Sequence, residues 1–205
     1  MPKPGNFHGF FWAEPQTLIP RKFVCGYCGS SVSSEKGYKI CQSGQTHQAK
    51  ANQVGGVFIC PECNAPTYFP PKEQRQIPGS LFGNDVSHVP DGLNTLYNEA
   101  RNCVSNGDNT ASVLVCRKML MNIAVEQGAK HNLKFIEYVD YLSDKGYVPP
   151  HGKHWVDHIR KKGNEANHEI TLMTDKDAKD LIVFLEMLLK FIYEFPNLMQ
   201  QEPST

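Results

Sequence analysis

The sequence predicts a mainly α protein, a bundle of five helices behind a small N-terminal β module. Three observations predict it. Two Cys-x-x-Cys pairs sit among short β-type runs before residue 70. From Leu93 onward, apolar residues recur at helical spacing in five stretches. The segment between them is rich in proline and glycine.

Residues 1–20 mix proline with the aromatic run Phe7, Phe10, Phe11 and Trp12 and keep no steady period, so they read as an extended arm. Residues 21–70 form the β module, with runs at 22–24, 38–40 and 57–59 separated by glycine, serine and glutamine. Residues 71–92 read as a linker. The bundle occupies residues 93–197, and residues 198–205 form a tail.

The first helical stripe joins Leu93, Leu96, Tyr97, Ala100 and Val104 and ends near Asn106 and Gly107. The second runs from Thr110 to Gln127, with Val113, Leu114, Leu120, Ile123 and Ala124 inward and Gly128 as its stop. A third covers residues 133–143, closed by Gly146 and the prolines at 149 and 150. A fourth is expected from Lys153 to His168 despite Gly163. A fifth runs from Asp175 to Phe195, capped by Thr174 with Asp177 and ended by Pro196.

Lysine plus arginine equals aspartate plus glutamate at 21 each, so net charge alone would not attract nucleic acid or an anionic membrane. The most apolar stretch, residues 181–195, is too short to span a bilayer and contains Glu186 and Lys190. No signal peptide is visible at the N-terminus, and the expected location is the cytoplasm.

In that reducing compartment, paired cysteines point to a metal rather than to disulfides. Cys25 and Cys28 form one knuckle, CGYCG, and Cys60 and Cys63 form the other, CPEC. Four thiolates make a structural Zn2+ site with no open coordination position. One pair alone would fit a redox motif equally well; the second decides for zinc. Cys41 and His47 are alternative ligands from the intervening hairpin, while Cys103 and Cys116 read as core residues. Basic residues near the knuckles are sparse, namely Arg21, Lys22, Lys36, Lys39 and Lys50, so protein docking competes evenly with nucleic-acid binding.

The local cationic concentration is HGKHWVDHIRKKGNEANH at 151–168. On a helix Lys161, Asn164 and His168 share one face and Arg160 lies beside it, a set that could hold a phosphate or simply form a solvated face. His154 and His158 also have a metal-ligand spacing, with no third ligand in view.

The segments VPDGLNTLYNEARNCV at 89–104, ASVLVCRKMLMNIAVEQG at 111–128 and HIRKKGNEANHE at 158–169 resemble the family catalogued as domain of unknown function 4145. That family is similar to the HEPN superfamily of helical bundles. The resemblance implies a HEPN-like bundle, a homodimer and a bacterial or phage defence setting, where active HEPN members are metal-independent endoribonucleases acting as toxins or antiphage effectors.

Carried over, His168 stands at the motif histidine and Asn164 at the polar residue, but Gly163 occupies the arginine position. Arg160 or Lys161 would have to supply the cation. Three readings stay open. The chain could be a binding or adaptor module for nucleic acid (RNA ahead of DNA) or for an acidic protein. It could instead be a nuclease using His168 as general acid or base, or a purely structural interaction module.

Overall fold

The computed structural model describes residues 11–42, 53–73, 75–148 and 172–200. The chain divides after Leu81 into two compact units.

The first unit is a four-stranded antiparallel meander in the order β1 (Gln16–Val24), β2 (Ser31–Cys41), β3 (Gln53–Ile59) and β4 (Pro66–Phe69). The sheet closes over Leu18, Phe23, Val32, Phe58 and Phe69. The rings of Phe23, Phe58 and Phe69 meet edge to face at 5.4–6.4 Å. Ile77 pairs with Tyr68 across β4, and the Gln76 amide donates to the Val24 carbonyl at 2.7 Å, so residues 75–79 lie against the end of β1. Trp12 donates its ring N–H to the Asn64 carbonyl at 2.9 Å, and the Tyr38 hydroxyl donates to the Ala13 carbonyl. The described part of the arm is thereby held on this same unit.

The second unit contains four helices among the described residues. These are α1 (Asp91–Asn106), α2 (Asn109–Glu126), α3 (Phe135–Asp144) and α4, which starts as Asp175–Leu189 and continues through a π-helical turn, Lys190–Glu194, into Phe195–Gln200. Helix α2 packs against the other three, and its buried residues (Ser112, Val113, Cys116, Arg117, Met119, Leu120, Ile123 and Ala124) fall on one face, a little under half of its circumference. Leu114, expected inward, is 43% exposed. Helix α1 ends where glycine allows it, Gly107 taking φ 87° and donating to the carbonyls of Cys103 and Val104. Thr174 and Asp177 form the expected capping box, with Asp177 N donating to Thr174 Oγ1 at 3.2 Å and Thr174 N to Asp177 Oδ2 at 3.0 Å.

Two expectations are corrected. The chain is not a mainly α, five-helix bundle with a minor β module: the described residues form a four-stranded antiparallel sheet and four helices. The sheet was under-read because its inward positions are not uniformly apolar. In β2 they are Val32, Ser34 and Gly37, and in β3 Gly55 and Gly56 sit among Phe58 and Ile59, so the period-2 signal fades. Ser34 is tolerated inside because its hydroxyl donates to the Ile59 carbonyl at 2.7 Å. The expected fourth helix, Lys153–His168, lies outside the described residues.

Second, Pro196 does not end the last helix. It has no N–H to give to the turn before it, and the chain widens there into the π spacing, with Phe195 N donating to the Lys190 carbonyl. Among the described residues, no helix is long and apolar enough to cross a membrane.

Candidate metal centre and a buried arginine

In a four-stranded meander the first and third turns fall at the same end of the sheet. Those turns are the two Cys-x-x-Cys segments, β1 to β2 and β3 to β4. Each repeats one backbone pattern. Cys25 N donates to Ser30 O and Gly29 N to Cys25 O, and Cys60 N donates to Ala65 O and Asn64 N to Cys60 O, all at 2.9 Å. The fifth residue of each turn is left-handed, Gly29 at φ 74° and Asn64 at φ 56°. Glycine adopts this conformation without strain, and asparagine is the side chain that tolerates it best. Gly26 is required for a different reason: a Cβ there would stand 2.4 Å from the Gly79 carbonyl oxygen.

The four sulfurs lie within 4.8 Å of one another, with Cys25 to Cys63 at 3.7 Å and Cys28 to Cys60 at 3.8 Å. These separations are far beyond a disulfide bond of about 2.05 Å. They match instead the edge of a tetrahedron of sulfurs around a metal: with a zinc–sulfur bond of about 2.3 Å, that edge is about 3.8 Å. The cluster could therefore hold a metal ion, in geometry as well as in donor chemistry. Cys41, near the far end of β2, is not part of it, and His47 lies outside the described residues.

The electrostatics agree. Burial pushes the Cys25 and Cys63 thiols up. At Cys28 burial also pushes up, but hydrogen bonds from the Ser30 hydroxyl and backbone, then from Cys63 and Cys25, outweigh it and bring the thiol down to about 7. One thiolate thus forms readily, and Cys25 and Cys63 ionise once a cation sits between the sulfurs. Cys116 is different, a fully buried thiol inside the helical unit pushed up to about 12 by burial, which makes it a core residue.

Among the described residues, the helical unit contains two buried arginines that the sequence reading did not single out. Arg101 of α1, 4% exposed, spends its donors on the Phe82 carbonyl (3.0 Å), the Gly83 carbonyl (2.8 Å), Asn98 Oδ1 (2.9 Å) and Asp85 Oδ1 (2.5 Å). Arg117 of α2, 6% exposed, has no such set. Its guanidinium carbon lies 4.1 Å from the centre of the Phe135 ring, Nη1 is sealed from solvent with no hydrogen-bond partner among the described residues, and burial holds the group below its usual pKa. The signal was present in the register: Arg117 stands four residues after Val113 and three before Leu120, inside an apolar stripe.

Residues 98–202, just over half of the chain, match the family described as Domain of unknown function (DUF4145). The chain belongs to the DUF4145 family. Its DUF4145 region takes in most of α1 and all of α2, α3 and α4, and so includes both buried arginines. The four cysteines fall before that DUF4145 region. No curated protein and no solved structure matches the chain. His168, Arg160, Lys161 and Asn164 lie within the matched range but outside the described residues.

Proposed function

We propose that the chain is a zinc-stapled binding or adaptor module, a zinc ribbon followed by a HEPN-like helical unit, that engages nucleic acid, RNA ahead of DNA, in a bacterial or phage conflict system. The observation that carries the reading is the sulfur tetrahedron. Cys25, Cys28, Cys60 and Cys63 would hold Zn2+ with all four positions filled by protein, leaving no place for a substrate or an activated water. Bound zinc supplies folding energy to a unit whose own apolar core is only a few side chains deep.

That leaves surface recognition as the role of the ribbon and charge as the means for the helical unit, where basic residues gather at 153–162. The reading also takes the protein as a homodimer. What supports this is the apolar end of α4, where Phe191, Phe195, Leu198 and Met199 are exposed.

The test is fluorescence anisotropy with a labelled single-stranded RNA between about 50 and 200 mM salt. Counterion release predicts a log–log slope near −0.7 per phosphate neutralised. Absence of RNA binding, or a flat salt response, would sink the nucleic-acid reading and turn the search to an acidic protein partner.

A further inference from the structure

A guanidinium carries five N–H donors and a permanent charge, and taking it out of water without a partner costs several kcal/mol. Arg101 shows how this fold meets that demand, with four acceptors at hydrogen-bond distance. Arg117 is equally buried and, among the described residues, has no acceptor at all. The Phe135 ring, at the start of α3, lies 4.1 Å from its guanidinium carbon. Ring contact of a desolvated guanidinium contributes about 2 kcal/mol, but it leaves the in-plane N–H donors without an oxygen acceptor.

We propose that Arg117 is the floor of an oxyanion site between α2 and α3, taking a phosphate group. Phosphate suits it better than a carboxylate, since the unpaired donors outnumber the two oxygens a carboxylate offers, and the planar fork pairs with phosphate through two parallel bonds. The site deepens the nucleic-acid reading above, because the same chemistry is presented by free phosphate and by an RNA backbone.

Inorganic phosphate is titrated at constant ionic strength into the full-length protein, with binding read by calorimetry and by the side-chain Nε–H resonance of Arg117. The wild type should show one saturable site. Arg117→Gln should weaken it by about 10- to 150-fold, the range set by one charge-assisted hydrogen bond. Arg117→Lys, which keeps the charge but loses the fork, should fall between the two. Lys118→Ala, an exposed neighbour on the same helix, should bind as the wild type does.

Absence of a saturable site in the wild type, or equal binding by Arg117→Gln, would overturn the proposal. Should Arg117→Gln not fold, the wild-type Nε–H resonance decides, since a signal indifferent to phosphate overturns it as well. RNA binding measured in parallel separates the two ideas. Phosphate bound without RNA removes only the nucleic-acid reading, and RNA bound without phosphate removes only this pocket.

Discussion

Replacing Cys60 by serine tests the metal centre most sharply. Cys60 is fully buried, its sulfur is 3.8 Å from that of Cys28, and its backbone holds the second knuckle together through Ala65 and Asn64. Structural zinc contributes about 10–16 kcal/mol in small domains, so one of four equivalent thiolates accounts for roughly 2.5–4 kcal/mol. At about 1.4 kcal/mol per decade, Cys60→Ser should weaken zinc by about 100- to 1,000-fold. Competition with a chromophoric chelator measures this directly, beside metal content of the wild type, which should be one zinc per chain. Cys41→Ser is the control and should change nothing, because Cys41 stands outside the cluster. Wild-type protein that purifies and refolds without metal, or Cys60→Ser protein that holds zinc as tightly, would refute the reasoning.

Zinc affinity should also fall as the pH is lowered. Cys25 and Cys63, both pushed up by burial, carry protons at neutral pH that the metal must displace, so log K should rise by about two or more per pH unit near pH 7; a chelator competition at several pH values reads the slope, and a flat line would exclude thiolate ligation. At Glu186 burial raises the carboxyl, but hydrogen bonds from Lys190 Nζ and from the Asn84 amide and side chain outweigh it and hold the group below its usual range. Its contribution is therefore complete above the unfolded pKa of about 4.3 and is lost as pH falls through the lower folded value. Glu186→Gln should cost about 1–3 kcal/mol at neutral pH and flatten the acid limb of a urea-midpoint profile. Arg101→Met should cost about 2–3 kcal/mol by urea unfolding through the lost bonds to the Phe82 and Gly83 carbonyls. Its ion-pair partner Asp85 adds little to that figure, because the Asp85 side chain is 93% exposed and is not stranded in the core. Leu120→Ala, at a fully buried position of α2, should cost about 2–5 kcal/mol in the same assay.

The four-cysteine cluster was legible because its information is local. Two thiolates three residues apart already define half of a tetrahedron, and a strand meander brings the halves to one end without help from the rest of the chain. The C-terminus of α1 and the N-terminus of α4 were legible for the same reason, since Gly107 and the Thr174–Asp177 pair act within a turn. The sheet was harder to read. Its inward positions are occupied by Ser34, Gly37, Gly55 and Gly56, where close strand approach and one side-chain hydrogen bond, rather than apolar volume, decide what is tolerated. The extension of α4 past Pro196 is likewise a tertiary outcome, with Leu188 and Leu189 buried just before the π turn and Glu194 accepting from Ser87 N at 2.8 Å within it.

Arg101 and Arg117 mark the limit of such reading. Both occupy the inward register of an amphipathic helix, Arg101 four residues after Tyr97 and Arg117 four after Val113, and a periodicity argument treats them alike. Burial alone does not separate them either. What does is the presence of acceptors: residues 82–85 bring two backbone carbonyls and a carboxylate to Arg101, whereas Arg117 meets an aromatic ring. A folded protein keeps a buried guanidinium only if something accepts from it, so the first arginine reads as structure and the second as half of an interaction.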